Sequence, residues 1–245
     1  PRLERSFSIW KPVEHKTITK ALEYDRENRI LIVPRGCDIS FLEQIFNCDA
    51  VVDRTCDEFI DREPVPIKYL TRDDDQLKTL KFVLGKDEYA YTKSKSQISV
   101  NNNTGTGKTF IAVASVCFTG RRAIIITSST GWLNQWKERI KEYTPLTDND
   151  IYTIAGAPSI NKLKTKDPLQ YTFFLASHDT LRAYGDKHGW NAVSELFKYL
   201  KCGYKIYDEA HLYFDNIYKI DYHTNTKRTL YLTATAERSD RDENE

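Results

Sequence analysis

The chain has no methionine, which is unusual for its size, and no Cys-x-x-Cys pair. No apolar run approaches the roughly 18 residues that a membrane-spanning helix requires. The opening Pro1-Arg2-Leu3-Glu4-Arg5 is not followed by an apolar stretch, so it does not read as a secretory signal. The five cysteines are odd in number, which suits free thiols in a reducing cytoplasm better than a disulfide frame or a zinc site. His15, His188 and His223 share no metal-ligand spacing, and no Gly-x-Ser-x-Gly turn offers an acyl-transfer nucleophile. An excess of one charge is missing too. Lys and Arg total 36 against 35 Asp and Glu, so a bulk-basic coat for nucleic acid is excluded while local basic patches stay open. Internal repeats and low-complexity tracts are absent from the sequence.

What is present is enough for a core: 245 residues, 40% apolar, which suits one large domain or two modest ones. Residues 1–62 read as a small α+β unit. Thr17–Tyr24 and Arg29–Val33 are apolar-rich runs around Asp25-Arg26-Glu27-Asn28, the pattern of a hairpin. Asp38 is placed to cap a helix with Ile39, Leu42, Ile45 and Phe46 on its apolar face, and Ala50–Val52 reads as a further strand. Pro64 and Pro66 favour an extended linker at Asp61–Pro66.

Residues 67–245 read as α/β. Short apolar runs at Gln97–Val100, Ala123–Thr127, Ile151–Ile154, Tyr171–Ala176, Lys205–Tyr207 and Leu230–Thr233 alternate with helical patterns at Asp75–Leu84, Lys108–Phe118, Gly131–Tyr143 and Ala192–Lys201. That alternation predicts a parallel sheet flanked by helices on both faces.

Between the first of these strands and its helix lies Asn102-Asn103-Thr104-Gly105-Thr106-Gly107-Lys108-Thr109. A glycine-bearing turn that opens a helix after a strand gathers backbone N–H groups into a phosphate cradle. Gly105 and Gly107 permit the turn, Lys108 reaches the β/γ-phosphates, and Thr109 offers a hydroxyl to Mg²⁺. Asn102 stands where the general pattern has its first glycine, and asparagine tolerates left-handed backbone better than most residues. Downstream, Tyr204-Lys205-Ile206-Tyr207-Asp208-Glu209-Ala210-His211 puts two carboxylates at the end of a strand, where α/β proteins carry their chemistry. Asp208 suits a Mg²⁺ ion held through its water shell, and Glu209 suits a general base for an attacking water. An isolated Asp-Glu pair would read as a solvated loop; the upstream phosphate loop changes its meaning.

These residues carry a family resemblance. Thr104–Thr109 is similar to motif I of superfamily-two helicases and translocases of the DEAH/DExH group, and Asp208-Glu209-Ala210-His211 matches their motif II letter for letter. Thr233-Ala234-Thr235 resembles motif III, which links nucleotide state to nucleic-acid contact. Gln76 resembles the adenine-reading glutamine of the Q motif, although Asp73 stands where the family has an arginine and Arg72 is one residue further away. Thr127-Ser128-Ser129-Thr130 with Leu133, Gln135 and Trp136 resembles motif Ia and its helix. Ser177-His178-Asp179-Thr180-Leu181 resembles the segment after the next strand that touches nucleic-acid backbone. The N-terminal unit, through Ile32-Val33-Pro34-Arg35-Gly36, is similar to small domains that precede the motor in XPB-like and phage helicases and help recognise DNA.

The resemblance implies a RecA-like first motor lobe that uses ATP and Mg²⁺, catalytic Lys108, Asp208, Glu209 and His211, and nucleotide contacts from Gln76 and Thr104 to Thr109. It implies nucleic-acid contacts at Ser128, Ser129, Thr130, Ser177, His178 and Thr180, and coupling through Thr233, Ala234 and Thr235. It implies an ATP-dependent DNA helicase or duplex translocase in the cytoplasm, the host's if phage-encoded, in a pathway such as DNA repair or recombination. DNA is the expected partner, duplex or branched. The 245 residues leave no room for a second RecA-like lobe, so the chain is expected to be a fragment, or that lobe to sit on another chain. An RNA helicase, a restriction-complex motor subunit and a non-hydrolysing nucleotide- and DNA-binding adaptor are the alternatives.

Lys162, Lys164 and Lys166, and Lys137, Arg139 and Lys141, could track a nucleic-acid backbone, but such runs are more often a solvated face. Trp132, Leu133, Trp136 and Ile140, like Trp190, Val193, Phe197 and Leu200, share a helical spacing that reads as core packing more readily than as a base-stacking platform.

Overall fold

A computed structural model describes residues 8–11, 16–20, 23–25, 30–32, 39–46 and 56–234. The chain divides between Thr55 and Cys56, and the larger unit is Cys56–Ala236.

In the smaller unit, β1 (Ser8–Lys11) pairs antiparallel with β2 (Lys16–Lys20), and β3 (Glu23–Asp25) pairs antiparallel with β4 (Ile30–Ile32). The expected single hairpin is therefore split. Its inner part is the β3–β4 pair, with Tyr24 opposite Leu31, while the β-branched Thr17-Ile18-Thr19 turns back onto an earlier strand. The expected helix is α1 (Ile39–Phe46). Asp38 and Ala50–Val52 lie outside the described residues.

The larger unit is a six-stranded, wholly parallel sheet. Its strands are β5 (Gln97–Asn101), β6 (Ala123–Thr127), β7 (Ile151–Ile154), β8 (Phe173–Ser177), β9 (Tyr204–Tyr207) and β10 (Arg228–Thr233), in the order β5-β10-β9-β6-β8-β7. The helices are α2 (Asp74–Leu84), α3 (Lys108–Thr119), α4 (Thr130–Tyr143), α5 (Ala157–Leu163), α6 (His178–His188), α7 (Trp190–Leu200) and α8 (Phe214–His223). The α/β reading holds. It passed over α5, α6 and α8, whose apolar residues are interrupted by polar ones.

Alternation along each strand feeds two cores. Ile125 of β6 joins Ile111, Val113, Leu133, Leu175 and Ile206 on one face. Ile124 and Ile126 join Phe174, Leu181, Val193 and Leu200 on the other. Each fully buried aliphatic side chain contributes about 2 kcal/mol. Helix α3 is buried along eight consecutive residues, Phe110 to Cys117, so the helix that opens at the phosphate loop is part of the core itself. No helix among the described residues is long and apolar enough to cross a membrane.

The expected linker is not one. Residues 57–68 lie along the larger unit, with Ile60 N–H donating to Lys201 O (3.1 Å), Arg62 N–H to Gly120 O (2.6 Å) and Val65 N–H to Cys117 O (3.1 Å). Pro64 and Pro66 have no N–H to give and keep the chain extended, so donation falls to the residues around them. The division thus comes before residue 62.

The strand order sets up the site. Thr233 is level with Asn101, and Tyr231 with Tyr207, so the carboxyl ends of β5, β10 and β9 emerge side by side.

Candidate functional site

The phosphate loop leaves β5 and ends in Gly107, the residue before α3. Gly105 (φ 83°) and Gly107 (φ 85°) both take the left-handed conformation that glycine adopts without cost. No side chain caps α3 at Gly107, so its first N–H groups face the loop, ready for an anion. The Lys108 ammonium lies back on the loop, donating to Asn102 O at 2.8 Å and Asn103 O at 3.3 Å. Asn102 is not in left-handed backbone, so no glycine is needed there. Its N–H instead donates to Thr233 O (3.2 Å) and its Nδ2 to Thr79 Oγ1 (3.3 Å), tying the loop to β10 and α2.

Helix α2 closes one side. Asp73 Oδ1 accepts the Gln76 N–H at 2.8 Å and caps the helix; this bond, helped by the Arg72 guanidinium, holds the Asp73 carboxyl below the usual carboxylate range. Gln76 Oε1 accepts the Arg72 N–H (2.8 Å), and Arg72 reaches over to donate to Gly105 O (2.9 Å). The one-residue displacement of the arginine therefore leaves it at the loop, and Asp73 takes the helix cap.

On the other side stands the acidic pair. Asp208 N–H donates to Ile126 O (2.9 Å), and its Oδ2 accepts the Trp136 indole N–H at 2.7 Å. Burial raises the Asp208 carboxyl above the usual range and Glu209 adds to the rise, while the Trp136 indole and the more distant Lys108 oppose it. Glu209 is left-handed (φ 49°, ψ 50°), an uncommon and costly conformation for a residue with a side chain. That turn brings His211 Nδ1 to 3.5 Å from Glu209 Oε2 and 2.9 Å from Thr233 Oγ1.

A cavity of about 560 Å³ joins these parts, lined by Gln76, Thr104, Gly105, Gly107, Lys108, Thr109, Asp208 and Glu209, with Trp132, Trp136 and Arg139 of α4 on its flank. Of the expected nucleotide and catalytic residues, all but Thr106 and His211 line this one space. Ala234 follows β10, and Thr235 lies outside the described residues. The helical spacing of Trp136 reads as core packing, and the resemblance sets it in the helix after motif Ia; neither names a partner for its N–H. Trp136 is 3% exposed, and the signal for its second role was chemical: a buried indole N–H needs a partner.

The expected nucleic-acid residues fall into two groups. Ser129 and Thr130 are exposed and Ser128 is half-buried, at the start of α4. Ser177, His178 and Thr180, the other expected nucleic-acid contacts, are buried. Ser177 Oγ caps α6 by accepting the Thr180 N–H, and the His178 ring stacks on Tyr213 at 4.6 Å and on Tyr207 at 5.7 Å. Among the basic residues, Lys137 and Lys141 pair with Asp148, and Arg139 pairs with Glu142.

Residues 62–238 match the family model described as "Type III restriction enzyme, res subunit". The chain is 30% identical over 137 residues to the "DNA 3'-5' helicase XPB" of Mycobacterium tuberculosis, covering 56% of this chain and 23% of that protein. It is 30% identical over 141 residues to the "Putative DNA 3'-5' helicase Rad25" of Haloarcula marismortui, covering 58% and 20%. It thus spans about a fifth of the length of these curated relatives. The crystal structure of the UvsW helicase from bacteriophage T4 is similar in fold, with a TM-score of 0.60 at 16% identity over 96% of this chain and 84% of that one. With a parallel sheet, a glycine-bearing loop and the Asp208-Glu209 pair of a DEAH tetrad facing one cavity, and a family match over most of its length, the chain belongs to the type III restriction enzyme res-subunit family and carries a RecA-like superfamily-two helicase motor lobe.

Proposed function

We propose that this chain is the nucleotide-binding lobe of an ATP-dependent DNA helicase or duplex translocase, in which ATP hydrolysis is coupled to movement on nucleic acid. The observation that carries this reading is the single cavity that Lys108 and Thr109 share with Asp208 and Glu209.

The donor set fits Mg²⁺ and a nucleotide. Thr109 and Asp208 offer hard oxygen ligands. No group of three or more His, Cys, Asp or Glu residues among the described ones could hold a metal alone. That suits a cation that keeps waters and shares its shell with phosphate oxygens. ATP with Mg²⁺, when bound, supplies the phosphoanhydride whose hydrolysis drives movement. In this reading the Thr104 to Lys108 loop and the Lys108 ammonium hold the phosphates, and Gln76 with Arg72 reads the adenine edge. Glu209 orients the attacking water and accepts its proton, and His211 carries the state of the site to Thr233.

DNA is the proposed partner because the named relatives are called DNA 3'-5' helicases, and Ser129 and Thr130 offer exposed hydroxyls to a phosphate backbone without reading sequence. A second RecA-like lobe, in cis or in trans, would supply an arginine to the transition state. A motor subunit of a restriction complex is the second reading, favoured by the description of the matching family.

The test is ATP binding and steady-state hydrolysis with and without duplex, forked and single-stranded DNA and RNA, with Lys108→Ala as control. DNA-stimulated turnover lost in Lys108→Ala supports the proposal, and stimulation by RNA alone replaces DNA with RNA. Binding without turnover, even when the second lobe is present, makes the chain a non-hydrolysing adaptor. Absence of nucleotide binding overturns the site.

A further inference from the structure

Helix α4 places two tryptophans on the flank of the cavity with opposite surroundings. Trp132 is exposed at its mouth, whereas Trp136 is buried and donates its single N–H to Asp208 Oδ2 at 2.7 Å. Trp136 and Asp208 are 72 residues apart in sequence. Leu133 and Ile140, one turn before and one turn after Trp136, are both sunk in the core, so the height and rotation of the indole are set by packing and not by the site. Asp208 is pinned at its backbone as well, through its N–H to Ile126 O. What remains to be fixed is the carboxylate rotamer, and the indole N–H fixes it through a charge-assisted bond to one chosen oxygen.

We propose that Trp136 is a positioning residue for the cation-holding carboxylate: its indole N–H takes Oδ2 of Asp208 and thereby presents the carboxylate to Mg²⁺ in one orientation. This rests on the reading of Asp208 as a Mg²⁺ ligand. A tryptophan present only for packing would support the fold and the nucleotide pocket alike, with or without the cation. A positioning tryptophan acts only where the cation does. Trp136→Phe keeps most of the ring and removes the donor, so it separates the two roles.

The experiment uses the 245-residue chain and a fluorescent ATP analogue, with affinity measured in Mg²⁺ and in excess EDTA. The readout is the ratio of the two affinities. In the unmodified chain Mg²⁺ tightens binding; in Trp136→Phe that enhancement falls about tenfold, the size of effect that one hydrogen bond to a charged group gives. An equal loss in both conditions, with the ratio kept, overturns the proposal and leaves a packing role. No enhancement by Mg²⁺ in the unmodified chain defeats the underlying reading of Asp208 instead, so the two failures are distinct. If Trp136→Phe does not fold, the indole N–H resonance of Trp136 in the unmodified protein decides. It shifts when Mg²⁺ is added to the nucleotide-loaded chain, and an unmoved resonance overturns the proposal.

Discussion

Gln76 and Thr106 are 30 residues apart in the chain, and the Gln76 Nε2 donates to the Thr106 carbonyl at 3.2 Å. With its Oε1 already bound to the Arg72 N–H, the carboxamide is used at both ends and joins the start of α2 to the phosphate loop. A side chain on Gly107 would run into this carboxamide, and the position is left-handed. Gly107→Ala is therefore expected to lower stability by about 1–2 kcal/mol and to weaken nucleotide binding, through both strain and displaced Gln76. Denaturant unfolding and nucleotide titration of the same variant check this.

Among the described residues the Lys108 ammonium donates its hydrogen bonds to the loop carbonyls of Asn102 and Asn103, so its removal costs the fold little. Lys108→Ala is expected to melt close to the parent temperature and to lose at least about 100-fold in ATP turnover once the second lobe is supplied. Unchanged turnover would sink the phosphate-site assignment.

Glu209→Gln keeps size and backbone strain and removes the carboxylate proposed as the base. Nucleotide binding is expected to persist, while turnover falls by about 100-fold or more. Equilibrium binding and single-turnover hydrolysis measured side by side test the split.

His178 is buried between two tyrosine rings, and burial pushes its imidazole down to about 4 from an ordinary 6.5. The unfolded chain takes up this proton first, so stability is whole above pH 6.5 and is lost as pH falls toward about 4. The loss amounts to roughly 3 kcal/mol. His178→Phe, which keeps a stacking ring, is expected to flatten this slope in a pH series of unfolding curves.

Lys205 is 1% exposed on the central strand β9, and its ammonium bonds the Asp221 carboxylate. The same carboxylate accepts from the Tyr207 hydroxyl (2.8 Å) and the Tyr231 hydroxyl (2.5 Å). Asp221→Ala strands a buried cation and is expected to cost about 3–5 kcal/mol, whereas Asp221→Asn keeps an acceptor and costs less. Chemical denaturation of both variants gives the comparison.

The phosphate loop and the DEAH tetrad were legible because their chemistry is local. A turn needs glycine where φ is positive, and an anion cradle needs a helix that starts there. Local pattern is silent elsewhere. Hydroxyls after a strand can face either way, and Ser177 and Thr180 are turned inward, where the Ser177 hydroxyl accepts the Thr180 N–H and caps α6. The spacing of Trp136 announced its buried face correctly, but spacing carries no information about which distant acceptor its N–H will meet.

The sequence alone determined the alternating α/β order, the glycine turn that opens α3 and the acidic strand end, since each depends on residues within a few positions of one another. Tertiary structure decided the order of strands. By placing β10 between β5 and β9 it set Thr233 beside His211 and beside the N–H of Asn102. By packing α4 against the sheet it laid Trp136 on Asp208. Those contacts join segments far apart in the chain, and only the burial of two faces of one sheet, a property of the whole lobe, brings them together.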